Sequence, residues 1–269
     1  MIKTTSGRCT AKTLALVMVL GAGLAACGEA PAGRNPALGR DPPRTAAYVD
    51  PPKILRLIPG EAGVVVLGAA APQARVRLAT PEGEEVLTEA GEDGAWTLNL
   101  PPSGQARIFG LSMISEARTV QAEGYQLILP DGRLVRLRAG AGAVVVGGGA
   151  EPVLNAFDFD EDGGAVVSGR APPEASFTVR IDGRPVTTNG RADAEGRFSL
   201  PFGAPVPPGP HRIEIQGEGF GLAAAIDATP GPAPARGAFQ LTPTPYGPRI
   251  DWLTPGGGVQ STLLIEPAA

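Results

Sequence analysis

The sequence predicts an all-β protein with two tandem β-sandwich domains behind an N-terminal export segment. The chain contains 38 Gly and 29 Pro among its 269 residues. Both residues break helices but fit the turns between short strands. Short strand patterns recur in two units of about 100 residues, a size typical of two-sheet sandwiches.

An internal repeat defines the two units. Val65-Val66-Leu67-Gly68 aligns with Val166-Val167-Ser168-Gly169, and Asp93-Gly94-Ala95-Trp96-Thr97-Leu98 aligns with Glu195-Gly196-Arg197-Phe198-Ser199-Leu200. A third match aligns Arg107-Ile108 with Arg212-Ile213, and the offset grows only from 101 to 105 residues along the chain. Small loop insertions account for that growth, so we interpret the chain as two copies of one module.

Glycine-rich segments set the domain limits. Gly147-Gly148-Gly149 separates the copies and is typical of a hinge or short linker. We therefore predict β-sandwich domain 1 over residues 53–146 and β-sandwich domain 2 over residues 150–269. The C-terminal strands expected within 237–266 either complete domain 2 or form a separate hairpin packed on it.

Alternation of apolar and polar residues identifies the buried faces of single strands. In the segment 176–181, the pattern predicts that Phe177, Val179 and Ile181 face the core. Asp182-Gly183 follows, a pair that tolerates the left-handed backbone of a hairpin turn. Domain 1 has an extra predicted hairpin over 125–137 by which it departs from the repeated pattern.

The repeated pattern resembles a known class of bacterial module. It runs Val-Val-x-Gly-x-Ala-x-Pro-x-Ala, then an Asp-Gly turn, then Asp/Glu-Gly-x-aromatic-Ser/Thr-Leu. It is similar to bacterial immunoglobulin-like and carboxypeptidase-regulatory-like modules, more clearly over 151–227 than over 53–140. The resemblance implies immunoglobulin-like sandwiches that serve as spacers, adhesion units or accessory modules and share no catalytic residues.

The N-terminus has the layout of a secretory signal. Its three cations precede an uncharged run over 13–26, which is shorter than the ~20 residues that a membrane-spanning helix needs. The run closes with Leu24-Ala25-Ala26-Cys27, which resembles the lipobox of bacterial lipoproteins. That resemblance implies a signal peptide over 1–26, cleavage between Ala26 and Cys27, and a covalent diacylglycerol with a further acyl chain on Cys27.

A mature chain that begins at lipidated Cys27 would be anchored to a membrane without spanning it, because two or more acyl chains hold essentially permanently. In lipoproteins an Asp after the cysteine commonly retains the protein on the inner membrane. Gly28 stands there, so the resemblance implies the outer membrane of the bacterial cell envelope. The lipidated N-terminus continues into a flexible Pro- and Gly-rich linker over 27–52, which could reach about 75 Å if extended.

Charge and cysteine content narrow the set of ligands. Removal of residues 1–26 takes away three cations and changes the formal net charge from −4 to −7. An acidic chain without a basic tract is a poor nucleic-acid binder, so we expect no nucleic-acid partner. Cys9 leaves with the signal, which leaves no thiol for a disulfide or a metal site. We expect no cofactor apart from the lipid.

The sequence contains no strong catalytic motif, and we expect that the protein is not an enzyme. His211 is the only histidine. It shares strand parity with Ile213 and Ile215, which favours a position at the edge of a core face over a role as general base. Glycan hydrolysis needs only two carboxylates, and nothing in the sequence marks a particular pair.

One acidic segment matches the opening of a calcium loop. In the run 158–163, Asp158, Asp160 and Asp162 are the candidate metal ligands. The closing acid of such a loop would fall on Gly169, inside a predicted strand. The segment therefore fits a solvated acidic turn better than a calcium site.

Two surface features are candidate ligand contacts. Arg136 and Arg138 share a strand face beside Arg133 and could bind an anionic glycan or a lipid headgroup, although solvated outward positions are the commoner case. Trp252 could stack on a sugar ring, although closing the core of the last strands is its commoner role.

These observations favour a lipid-anchored, non-catalytic structural or protein-interaction module of the envelope, with the membrane and a protein or glycan as partners. A carbohydrate-binding accessory protein is the alternative, with Trp252 and the hairpin of Arg133 to Arg138 as its contact surface. An exposed Trp252 favours that alternative, and a buried one favours the first. An envelope glycan hydrolase with paired carboxylates is the third hypothesis.

Overall fold

Strands account for the regular secondary structure of the computed structural model, which describes residues 48–266 apart from the side chains at 187 and 188. The first half contains β1 Lys53–Gly60, β2 Gly63–Ala69, β3 Arg75–Ala79, β4 Glu85–Glu89, β5 Ala95–Leu100, β6 Arg107–Ser115, β7 Arg118–Ile128, β8 Leu134–Arg138 and β9 Ala141–Val146. The second half contains β10 Val153–Phe159, β11 Ala165–Arg170, β12 Ser176–Ile181, β13 Arg184–Arg191, β14 Arg197–Pro201, β15 Pro210–Gly217, β16 Phe220–Asp227, β17 Phe239–Thr244, β18 Gly247–Leu253 and β19 Val259–Leu264. The all-β prediction is confirmed.

Within residues 48–266, no helix has the length and apolar character needed to cross a membrane. The signal segment 1–26 and its cleavage residues Ala26 and Cys27 lie outside the described residues. So does most of the linker over 27–52.

The same seven-stranded sandwich occurs in both halves. In the first, the sheet β1-β2-β5 faces the order β4-β3-β6-β7; in the second, β10-β11-β14 faces β13-β12-β15-β16. Strand neighbours pair antiparallel throughout. The identical order gives the sequence repeat its three-dimensional counterpart, and two antiparallel sheets around one core are the architecture of immunoglobulin-like sandwiches.

A glycine and an aromatic ring form an equivalent cross-strand pair in each sandwich. Gly68 lies opposite Trp96, and Gly169 lies opposite Phe198. A Cβ added to Gly68 would stand 2.1 Å from the Trp96 ring, and one added to Gly169 would stand 2.6 Å from the Phe198 ring and 2.2 Å from the Val153 carbonyl oxygen. Glycine is therefore needed at both positions because the ring of the neighbouring strand lies over the backbone.

Strands outside the repeat enlarge one sheet of each sandwich. β8 and β9 continue the sheet of β7, and β19, β18 and β17 continue the sheet of β10. Residues 237–266 therefore belong to a sheet of the second sandwich and do not form a separate hairpin, because β19 pairs with β10 from Ala156↔Leu264 to Phe159↔Ser261. Both additions lie on the sheets that face each other in the middle of the molecule.

The two enlarged sheets pack together and give the halves a common core. This junction core contains Leu127, Leu129, Val135, Leu137 and Ala143 from the first half and Ala156, Ile250, Trp252 and Leu264 from the second. The four sheets are thus stacked in order, and the described residues belong to one compact unit, Ala47–Ala269. Gly147–Gly149 was expected to be a hinge or short linker between the two domains. In the structure it connects two halves that pack against each other through a common buried core.

Gly169→Ala tests the glycine–aromatic pair. The added methyl group meets a ring and a backbone oxygen that cannot both move away, so we expect the free energy of unfolding to fall by about 1–3 kcal/mol. Denaturant unfolding followed by circular dichroism measures the change. Gly203→Ala is the matched control, since a Cβ there meets no atom within 4 Å; equal stability of the two variants would contradict the packing argument.

Candidate functional site

The central polar feature of the junction is the carboxylate of Asp158. This residue lies in β10, on the face that meets the first half, and is 2% exposed. Its Oδ2 accepts the backbone N–H of Ala143 at 2.7 Å. Its Oδ1 accepts the hydroxyl of Thr262 at 2.6 Å and the side-chain amide of Gln260 at 3.1 Å. One carboxylate therefore joins the first half to two strands of the second.

Further hydrogen bonds extend this junction network to the turn between β8 and β9. Gln260 accepts the N–H of Gly140 at 3.0 Å and donates to the carbonyl of Arg138 at 3.2 Å. Ser168 donates its hydroxyl to the carbonyl of Ala143 at 2.6 Å, and Ser199 accepts the N–H of Gly142 at 3.1 Å. Polar side chains of the second half thus satisfy backbone groups of the buried Gly142 and Ala143, which would otherwise be unpaired.

Sequence reasoning missed Gln260, Thr262 and Ser168 as parts of this network. A usable signal was the polar run Gln260-Ser261-Thr262 inside a strand, because a strand with one solvated face alternates polar and apolar residues. The partners of Gln260 and Thr262 in this network lie more than 100 residues away in the chain, and Ala143, the partner of Ser168, lies 25 residues away. The sequence carries no local trace of these contacts.

Burial dominates the electrostatics of Asp158. Loss of hydration raises the pKa of this carboxyl to about 6, although the hydrogen bonds from Thr262, Ala143 and Gln260 oppose the shift. The group therefore titrates in a mildly acidic range, well above the ordinary range for an aspartate.

The three aspartates of the candidate calcium loop do not converge. The Asp158 carboxylate is committed to the junction network, whereas Asp160 accepts the N–H groups of Asp162 and Gly164 through Oδ1, at 3.0 and 2.8 Å, and thereby caps its own turn. Across residues 48–266, no cluster of three or more His, Cys, Asp or Glu side chains is arranged to hold a metal ion. The geometry of the segment is that of an acidic turn.

Trp252 is a core residue and not an exposed stacking platform. Its side chain is fully buried, meets Tyr125 edge-on with ring centroids 6.0 Å apart, and donates its indole N–H to Thr262 at 3.2 Å. The ring therefore offers no exposed stacking surface, because the two enlarged sheets close over it, and this burial is the outcome that favours the interaction module over a carbohydrate-binding protein.

The structure separates the three candidate arginines. Arg133 lies at the β7–β8 turn and pairs with Asp131 at 2.7 Å and Glu266 at 3.5 Å. Arg138 lies at the other end of β8, where it pairs with Glu123 at 3.2 Å. The shared face expected for Arg136 and Arg138 is interrupted by a register shift between them. Arg136 instead lines a separate groove with residues of the second half.

His211 lies at the edge of the second core, with Ile213 and Ile215 buried on its strand as expected. Its Nδ1 stands 2.7 Å from Asp182 Oδ2 and its Nε2 stands 2.7 Å from the Pro207 carbonyl oxygen. Both partners are acceptors, so the arrangement is satisfied fully by a doubly protonated ring. Burial lowers the pKa of His211, but the bonds to Asp182 and Pro207 outweigh burial and leave the pKa raised.

Asp158→Asn tests the junction network through pH. The pKa of Asp158 is higher in the folded state (about 6) than its ordinary 3.8, so the folded state binds the proton more tightly. The resulting stabilisation of ~3 kcal/mol is complete below pH 3.8 and is lost as pH rises through about 6. The variant carries no titrating group at this position, so the stability difference between wild type and variant should change by about 2 kcal/mol between pH 4 and pH 7. Denaturant unfolding across this range measures it.

The matched control is Asp50→Asn, an exposed aspartate with the same change of charge. The free energy of unfolding of Asp50→Asn should change with pH in the same way as that of the wild type. A parallel profile for Asp158→Asn as well would show that the carboxylate is not buried at the junction.

His211 provides a second pH test in a different range. Its folded pKa lies above 6.5, so its stabilising contribution is complete below pH 6.5 and is lost as pH rises through the folded value. The single imidazole gives an unambiguous proton NMR titration, and Asp182→Asn should lower the observed pKa. A pKa at or below 6.5 in the wild type would contradict the paired geometry.

No family model matches the chain, and no curated protein matches it significantly. Among solved structures it is similar to the central fibronectin-III array of RIM-binding protein, at 16% identity and a TM-score of 0.26 over 80% of this chain and 89% of that one. It is also similar to the BSP domain of a biofilm associated protein, at 16% identity and a TM-score of 0.23 over 69% of this chain and 30% of that one. Likeness at this level carries no functional argument, and the sandwich assignment follows from the strand order itself.

Proposed function

We propose that the protein is a lipid-anchored lipoprotein of the bacterial cell envelope whose folded part is a non-catalytic structural or protein-interaction module. The observation that carries the proposal is the junction, where a common core and a buried polar network make two sandwiches into one unit. Such a unit presents fixed surfaces on a rigid scaffold, which suits binding and spacing.

The roles of the polar side chains support a non-catalytic assignment. Asp158 is held in the junction network, and the fully buried Asp251 accepts the Ser261 hydroxyl at 2.6 Å and pairs with Arg249 at 3.0 Å. His211 has both ring nitrogens engaged. Asp158 does line a groove of about 200 Å³ together with Asp160, but its oxygens accept hydrogen bonds from Ala143, Thr262 and Gln260, and Asp160 caps its own turn. These groups hold strands and turns together, and this structural use supports a non-catalytic role over the paired carboxylates that glycan hydrolysis requires.

The anchor part of the proposal rests on the sequence Leu24-Ala25-Ala26-Cys27. Lipidation of Cys27 would attach the mature chain to a membrane, and the linker over 27–52 would hold the folded unit away from it. Gly28 supports an outer-membrane destination. The partner would then be a protein or glycan within reach of that tether.

One observation keeps carbohydrate binding as the second candidate. A groove of about 380 Å³ lies beside Tyr125, Glu123, Arg138 and Gln121, with Trp252 beneath it. An aromatic side chain with charged and amide groups nearby is a combination that can bind a sugar. The burial of Trp252 removes the stacking surface on which this candidate was first based, so the interaction module has the stronger support.

Cys27→Ser tests the anchor. In a bacterial host supplied with radiolabelled palmitate, we expect the wild-type chain to carry label and the variant to carry none, because serine has no thiolate to accept the diacylglyceryl group. Mass spectrometry of the mature N-terminus should show the modified cysteine. The matched control is Cys9→Ser, which removes the other cysteine and should leave labelling unchanged; label on Cys27→Ser would overturn the assignment.

A further inference from the structure

A basic groove of about 270 Å³ lies where the two halves meet, on the side of the junction that holds β1 and β9. Its cationic lining residues are Lys53 and Arg136 from the first half and Arg170 and Arg197 from the second, against one acidic residue, Glu195. The chain as a whole is acidic, with a formal net charge of −4. The groove is therefore positively charged although the chain as a whole carries a negative net charge.

Arg136 is the main candidate for ligand binding in the groove, because no hydrogen bond or ion pair within the described residues compensates its charge. The side chain is half-buried, and its guanidinium makes no hydrogen bond or ion pair with any residue in 48–266. Burial lowers its pKa, with Arg138 and Arg197 adding to the effect and Glu123 opposing it. An arginine stays protonated in a protein, so a poorly hydrated charge without a partner remains at this position.

Two further cations of the groove keep donors available. Arg170 donates one N–H to the Gly147 carbonyl at 3.1 Å, which leaves other N–H groups of its five free. Lys53 is exposed and has no polar partner within the described part of the chain. Arg197 differs, because Asp193 and Glu195 both pair with it at 2.9 Å.

We propose that this groove binds a phosphate-bearing anion, which bridges the two halves through Arg136, Arg170 and Lys53. A phosphate group offers up to two negative charges and several acceptor oxygens, whereas a carboxylate offers one charge and two oxygens. Three cations without an ion-pair partner among the described residues, on different strands, match a phosphate group better than a carboxylate. Arginine forks also suit planar, paired contacts with phosphate oxygens.

Two sources could supply this chemistry, free phosphate esters and phospholipid headgroups. Lys53 begins β1, directly after the linker over 27–52, so the groove lies near the point where the folded unit continues from its N-terminal segment. The groove proposal does not require the anchor, because inorganic phosphate in solution tests it independently.

The first arm of the test measures the thermal unfolding midpoint of the full chain in neutral detergent, with inorganic phosphate against chloride at equal ionic strength. A ligand that binds only the folded state raises the midpoint, and we expect a rise of about 3–6 °C at tenfold excess over the dissociation constant. Arg136→Gln and Lys53→Gln should remove the rise. Arg180→Gln is the matched control, since Arg180 also donates one hydrogen bond to a backbone carbonyl but lies away from the groove.

A second readout separates binding from a structural role of Arg136. Without phosphate, Arg136→Gln should be as stable as the wild type or more stable, because it removes a half-buried unpaired charge. If Arg136 instead supported the fold, Arg136→Gln would be less stable than the wild type without phosphate.

The second arm places the chain in nanodiscs of phosphatidylcholine, with and without phosphatidylglycerol. A rise that requires phosphatidylglycerol and is lost in Arg136→Gln assigns a headgroup as the source, and a rise with inorganic phosphate alone assigns a free ester. No rise in either arm, or a rise that Arg136→Gln retains, overturns the proposal.

Discussion

The packing of two enlarged sheets against each other is the constraint on which the rest of the structure depends. Each sandwich has its own core, and a third core is shared between them. What fixes the two in one orientation is the junction, where apolar side chains such as Leu137 and Trp252 pack beside the hydrogen bonds of Asp158. The apolar part supplies most of the driving force, because burial of apolar area is the dominant favourable contribution to association.

The polar part of the junction determines register. A carboxylate with donors from Ala143, Thr262 and Gln260 has only one position in which all its hydrogen bonds are made, and a displacement by one residue would leave a buried charge unpaired. The cost of such a mismatch exceeds the modest net gain from a matched hydrogen bond. Burial raises the pKa of Asp158, so holding this carboxylate at the junction carries an electrostatic penalty that its three hydrogen bonds partly offset.

Local patterns in the sequence predicted the sandwiches but could not predict the junction. Strand alternation correctly assigned Val179 to the core, and the Asp182-Gly183 pair takes positive φ at both residues as a hairpin turn requires. These signals act over a few residues. Asp158 was a candidate calcium ligand, or part of a solvated acidic turn, because its spacing from Asp160 is local, whereas its hydrogen-bond partners, Ala143 and Thr262, are contributed by other strands. The sequence did not reveal the basic groove for the same reason, because its four cations come from four strands that are far apart in the chain.

The strands outside the repeat are the part of the fold that distinguishes this chain from a simple pair of sandwiches. The repeated seven strands are present twice and supply the same buried pairs, such as Gly68 with Trp96 and Gly169 with Phe198. Strands β8, β9 and β17 to β19 fall outside the repeat, and they build the junction. The basic groove is lined by β8 and β9 of the additions together with β1, β11 and β14 of the repeat, and the groove beside Tyr125 is lined by β8 and Trp252 together with β6 and β7. The repeated strands therefore provide a scaffold, the additional strands fix its orientation, and both grooves form where additional strands adjoin repeated ones.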